Sequence, residues 1–242
     1  MEKRLRYCIR ALLWELTGCY YWTDVQEAVA RSLLLRPVFA KMADCTVPEE
    51  CLKTNILFIH IPRCAGISIS TVLYQHFRDH HPASYFRDID NSFFSSAFKF
   101  AVIRNPVSRA LSAYRFLSNK GASYMEFDKG WQIKTKRVRT LDDYIDFLDD
   151  NRWRLDRLDF IMRPQAHFVL DSSGSPLVDR FFRMEADLGD LNHLLCSWGK
   201  KKMPTLNSNP PGAIKCSQRQ IDRLAAIYVA DMHLYESVSK QA

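Results

Sequence analysis

The sequence predicts a single α/β domain, with a mostly parallel sheet flanked by helices and a phosphate-loop-like turn. Three observations carry this. Two short apolar runs rich in β-forming residues, Asn55–Ile61 and Phe98–Arg104, read as buried strands, because neither alternates polar with apolar positions. Each run is broken by a proline, Pro62 or Pro106, and passes into a helical pattern. A chain of 242 residues, 47% hydrophobic and 12% aromatic, can bury one sizeable core.

Residues 1–50 are rich in Leu and Ala and read as a helical extension packed on the domain, punctuated by Pro37 and Pro48. In it Leu5, Cys8, Ile9, Leu12, Leu13 and Leu16 share one helical face. The domain proper is expected over 51–242. After the first strand comes a helix from about Ser68 to Arg78. After the second, Pro106 suits a first helical position, and the helix runs to about Ser118. Residues 119–139 are polar and basic and read as a long exposed loop. Thr140 and Asp143 have the spacing of a capping box for a helix to about Asp150. Ala166–Leu170 and Leu177–Arg183 flank a turn-rich Asp171–Pro176 and predict a hairpin. Asp187–Trp198 is a helix stopped by Gly199. Lys200–Lys215 is a basic loop, and Ser217–Val238 is read as one closing helix.

Composition removes several classes. The chain is neither disordered nor fibrous. Its 34 Lys plus Arg against 27 Asp plus Glu give a net charge of +7, which fits an anionic partner. The seven cysteines are odd in number and form no C-x-x-C pair, which argues against a disulfide scaffold and a zinc knuckle. Reduced thiols and the lack of a long apolar run favour a cytoplasmic location, with peripheral contact at a membrane left open. No metal-ligand spacing occurs, and no metal is expected.

The chemistry lies where the two strands end. The first turn brings Arg63, the small residues Cys64, Ala65 and Gly66, and Ser68 at a helix start. Exposed N–H groups, a helix dipole, a hydroxyl and a guanidinium at one point make an anion site. The Walker A pattern is absent from the chain. The second turn places Arg104 at the strand's end, with Ser108, Ser112 and Arg115 near one face of the following helix. Two anion sites at the carboxyl ends of two strands suit a nucleotide with two phosphate-bearing positions.

Ile61-Pro-Arg-Cys-Ala-Gly-Ile-Ser68 resembles the 5′-phosphosulfate loop of sulfotransferases, usually written P-K-T-G-G-T-S. Val102–Tyr114 resembles their 3′-phosphate motif, R-[DN]-P-x-x-R-x-x-S-x-Y. Pro164-Gln165, Arg183–Glu185, Leu206-Asn207 and Ile227–Asp231 resemble the carbohydrate branch, of the heparan and chondroitin type, in bacterial form. The resemblance covers about Asn55 to Glu236. It implies the sulfotransferase nucleotide-binding fold, with 3′-phosphoadenosine 5′-phosphosulfate as donor and adenosine 3′,5′-bisphosphate as product. Carried over by position, Arg63, Cys64, Ala65, Gly66, Ile67 and Ser68 would cradle the 5′-phosphosulfate, and Arg104 and Ser112 the 3′-phosphate. Arg63 stands where the family has Lys, Ala65 where it has Gly, and Ile67 where it has Thr. Arg63 keeps the charge but cannot give up a proton, so it can only stabilise charge.

The resemblance also implies a carbohydrate or glycolipid acceptor and a base for its hydroxyl. The His80–Arg87 segment resembles the family's His-containing stretch, so His80 or His81 is expected to be that base, with Arg63 beside the leaving group. Gln165, His167 and Glu185 are candidates for the acceptor side, and His60 reads as a core histidine. Three rivals remain: a nucleotide-dependent phosphotransferase, a nucleotide-binding module without catalysis, and a nucleic-acid binder. The basic stretches 129–139 and 200–202 lack the interleaved aromatics that single-strand binding uses.

Overall fold

A computed structural model of the protein describes residues 22–41, 43–75, 80–119, 138–204 and 214–239. Three strands, β1 (Ile56–Ile59), β2 (Phe98–Ile103) and β3 (Arg180–Arg183), form a sheet in the order β1-β2-β3. Both pairings are parallel; Phe58 lies opposite Phe100, and Ile103 opposite Arg183. The protein is therefore an α/β fold with a parallel sheet flanked by helices, as the buried apolar runs require. Every residue of β1 is buried, as is every residue of β2 after Phe98, because helices cover them.

Between β1 and β2 run α4 (Gly66–Tyr74), α5 (Ala83–Ile89) and α6 (Asn91–Ser96). They follow the N-terminal α1 (Trp22–Arg31), α2 (Arg36–Phe39) and α3 (Glu49–Thr54). After β2 come α7 (Pro106–Ser118), α8 (Leu141–Asp150), a 3₁₀ turn (Arg152–Arg157) and the short α9 (Gln165–Val169). After β3 come α10 (Leu188–Ser197), α11 (Gln218–Ile227) and α12 (Val229–Ser239).

Two apolar clusters hold these layers. One is built on the sheet, from Leu57, Ile59, Phe100, Val102 and Phe182 outward. The other joins α7, α8 and α11 through Ala113, Tyr144, Ile145, Leu148 and Leu224. Helix α1 docks by charge: Asp24 accepts a 2.5 Å hydrogen bond from Nη2 of the buried Arg163. The stripe at Leu5–Leu16 lies outside the described residues. No helix among those described is long and apolar enough to cross a membrane.

Local signals placed most elements within a residue or two, and the capping box at Thr140 and Asp143 is present. Two expectations need correction. The hairpin is absent: Gln165–Val169 is helical, and only an isolated bridge joins Leu170 to Pro176. Residues 180–183 pair instead with β2, because their apolar side chains find a larger partner surface there than a two-stranded ribbon offers. The closing helix is two helices, broken at Tyr228 (φ −100°, ψ 38°), whose hydroxyl donates to the Met162 carbonyl at 2.8 Å.

Candidate functional site

Because the strands are parallel, all three carboxyl ends deliver residues to one edge of the sheet. β1 delivers His60 and the Pro62–Gly66 turn, β2 delivers Arg104 and Asn105, and β3 delivers Glu185.

The turn after β1 winds tightly. Arg63 (φ 69°) and Ala65 (φ 58°) both take the left-handed conformation, which costs a residue bearing a Cβ on the order of 1 kcal/mol or more. Gly66 opens α4 where no side chain fits: a Cβ there would lie 1.8 Å from the His60 ring. Helices α7, α8 and α11 carry side-chain caps from Asn105, Thr140 and Ser217, whereas no side chain caps α4. Its first-turn N–H groups therefore stand ready for an anion, next to the buried Ser68.

Arg63 and Arg104 come together over this turn. Arg104 Nη1 donates to the Arg63 carbonyl at 3.3 Å. Arg63 Nε donates to Ser112 Oγ at 3.1 Å, and its guanidinium lies 4.8 Å from the centre of the Phe116 ring. The residues expected around two phosphate positions thus form one contiguous, partly buried polar surface. Glu185 braces it from β3: Oε1 accepts from the Asn105 N–H at 3.0 Å and Oε2 from the Tyr235 hydroxyl at 3.1 Å. Cys64 is buried, and burial pushes its thiol up to about 12, so it contributes no thiolate.

Arg109 went unread in the sequence, although it stands in the same run as Arg104. It is almost wholly buried on α7, where Nε donates to the Pro62 carbonyl at 3.0 Å and Nη2 to the Ile161 carbonyl at 3.4 Å. This ties the first turn to the second helix. Its place in the R-N-P-x-x-R pattern was the available signal.

The histidines separate by environment. His80 Nδ1 lies 3.0 Å from the His60 carbonyl and so carries the proton, which leaves Nε2 as the acceptor nitrogen. Its ring sits 4.1 Å from that of His60 and stacks on Phe160 at 4.6 Å. Burial pushes its pKa well below the ordinary value, and the neighbouring His60 adds to this. His60 is buried, as a core histidine should be, yet its ring rests on Gly66. His81 turns away: it stacks on Tyr85 at 4.0 Å, is buried, and has its pKa lowered to about 4 by burial.

Two acceptor-side candidates are placed elsewhere. His167 faces α1, with Nε2 3.9 Å from Glu27 Oε2, and burial lowers its pKa to about 3. Gln165 is fully buried, and its amide is engaged with the backbone of Arg104. In each case tertiary packing claimed a side chain that the local pattern left open. Of the basic loops, 129–137 lies outside the described residues, and Lys200 Nζ donates to the Leu73 carbonyl at 3.2 Å. Among the described residues no group of three or more His, Cys, Asp or Glu could hold a metal ion.

A family model described as "Sulfotransferase family" matches residues 51–236. No curated protein and no solved structure matches the chain. The matched span takes in the whole sheet and both strand-end turns, well over half of the sequence, and on that ground the chain belongs to the sulfotransferase family.

Proposed function

We propose that the protein transfers a sulfuryl group from 3′-phosphoadenosine 5′-phosphosulfate to a hydroxyl of a carbohydrate acceptor, a glycan or glycolipid. The observation that carries this is the convergence of Arg63, Arg104 and the uncapped start of α4 on one edge of a parallel sheet. The residues fit a nucleotide with anionic groups at its 5′ and 3′ positions. The α4 N–H groups and Ser68 suit the 5′ side, and Arg104 with Ser112 the 3′ side. When bound, the donor supplies an activated sulfuryl group with adenosine 3′,5′-bisphosphate as its leaving group.

The chain's own residues then have defined tasks. Arg63, always charged, sets a guanidinium where negative charge grows during transfer. Its contacts with Ser112 and Phe116 hold it in place before any substrate arrives, so little reorganisation is needed. His80 is the base in this reading, in preference to His81: it is neutral at pH 7, and its protonated Nδ1 rests on the His60 carbonyl. A lowered pKa makes it a weak base. Transfer through a loose transition state tolerates that, since the acceptor proton leaves late and positioning supplies most of the acceleration. The acceptor class rests on the resemblance of the C-terminal runs, and the cytoplasmic location on the cysteine pattern.

The test is calorimetric titration with adenosine 3′,5′-bisphosphate, with ATP as control. Micromolar binding of the bisphosphate alone is expected, and Arg104→Ala should weaken it at least about tenfold, the usual loss for a charge-assisted hydrogen-bonding partner. Tighter binding of ATP would favour a phosphotransferase. Absence of bisphosphate binding would overturn the donor assignment.

A further inference from the structure

We infer that Gln165 is a positioning residue, which fixes Arg104 by holding its peptide groups and thereby sets the affinity for the donor. This rests on the donor reading above. Gln165 is fully buried, and its carboxamide meets the backbone just past the end of β2. Oε1 accepts from the Arg104 N–H at 2.8 Å, and Nε2 donates to the Arg104 carbonyl at 2.8 Å. Both peptide groups of the residue that leaves the sheet are thus held by one side chain. A strand ends at Ile103, so Arg104 has no ladder partner to do this. The same Oε1 accepts a thiol hydrogen from Cys64 Sγ at 3.4 Å, so the amide also touches the turn after β1.

Gln165 is itself fixed from behind. Its N–H donates to Asp231 Oδ2 at 2.8 Å, and the Ala166 N–H donates to Oδ1 at 2.9 Å. Asp231 is fully buried on α12 and caps α9 from a distance of 66 residues in sequence. A chain of hydrogen bonds therefore runs from α12 through α9 to Arg104, whose guanidinium reaches the Arg63 carbonyl. A primary amide of this length meets both an N–H and a C=O of one residue at once. A carboxylate would set a lone pair against the Arg104 carbonyl. A protonated carboxyl would restore both bonds.

That property supplies the test. Gln165→Met keeps the volume and removes both bonds; Gln165→Glu keeps the shape and makes the bonding depend on pH. Binding of adenosine 3′,5′-bisphosphate is measured for each variant and the wild type from pH 5 to pH 8. Hydrogen exchange at the Arg104 amide is followed alongside, without any ligand. Gln165→Met should weaken binding by about tenfold or more at every pH and speed Arg104 exchange. Gln165→Glu should match Met at pH 8 and recover toward the wild type near pH 5. A merely structural role would not produce that recovery.

If folded variants bind as the wild type does, or if Arg104 exchange is unchanged, the inference is overturned. A Gln165→Glu deficit independent of pH overturns it too, and this arm decides the matter if Gln165→Met fails to fold. If the wild type does not bind the bisphosphate but Arg104 exchange responds as described, the donor reading fails while the clamp on Arg104 stands.

Discussion

Ala65 and Gly66 are adjacent small residues with opposite needs. Ala65 needs a left-handed backbone (φ 58°) and has room for its methyl group; Gly66 lies in an ordinary helical start and has no room for one. Gly66→Ala drives a Cβ into the His60 ring and should destabilise the fold by about 1–3 kcal/mol, as overpacking does. Ala65→Gly removes the left-handed penalty at the cost of a freer unfolded chain, so stability should stay within about 1 kcal/mol of the wild type. Urea unfolding of both variants checks this; equal losses would mean that the turn is not wound as described.

His80 carries the second prediction at this scale. Burial pushes its pKa well below the ordinary histidine value of 6.5. A base that stays neutral gives a transfer rate that holds as pH falls through the ordinary histidine range and declines only further down. His80→Ala should abolish transfer and spare bisphosphate binding. A kcat that titrates near 6.5, or a fully active His80→Ala, would remove His80 from the role.

At the scale of elements, a capped helix away from the strand ends can be tested apart from the site. Ser217 and Gln220 form a capping box on α11: Ser217 Oγ accepts from the Gln220 N–H at 3.3 Å, and Gln220 Oε1 from the Ser217 N–H at 2.9 Å. This helix packs Leu224 and Ile227 into the second apolar cluster, beside α7 and α8. Ser217→Ala should cost about 1 kcal/mol of stability in a denaturant titration and leave bisphosphate affinity unchanged. A change in affinity would mean that the α11 start reaches the site. Helix α4 has no such cap to lose, and its bare N-terminus is where an anion would supply the missing partner.

Charge burial sets the behaviour of the whole molecule. α1 meets the domain through Asp24, Glu27, Arg163 and His167. Burial raises the Glu27 carboxyl to about 7, so the folded protein keeps a proton that the unfolded chain releases near 4.5. Stability contributed by this group is lost as pH rises through that window. His81 and His167, lowered to about 4 and about 3, act in the opposite sense. Below pH 6.5 the unfolded chain binds protons that they refuse, and each contributes a loss of about 1.4 kcal/mol per pH unit on acidification. His80, also held well below the ordinary value, adds to them. Three histidines outweigh one carboxyl, so stability should level off above about pH 7 and fall steeply toward pH 5. Glu27→Gln should raise stability at pH 8 by on the order of 1 kcal/mol and change little at pH 4.5. Urea midpoints at the two values decide; a less stable variant at pH 8 would mean that the Arg163 attraction outweighs burial.

What the sequence determined by itself is local. The strand runs at 55–61 and 98–104, the proline breaks, the Thr140 cap and the R-N-P-x-x-R run are patterns of neighbouring residues, and they located the sheet's centre, the two turns and the family. What only the tertiary structure decided depends on partners far along the chain. β3 joined β2 across some 80 residues, the closing helix broke where Tyr228 reached Met162, and the hydrogen-bonding capacity of Gln165 went to Arg104. His80 and His81 are neighbours with the same side chain. One rests on the His60 carbonyl and the other stacks on Tyr85, because successive side chains along one stretch of backbone point to different sides. Periodicity carries no such information: a polar side chain's task is set by whichever donor or acceptor packing leaves unpaired beside it.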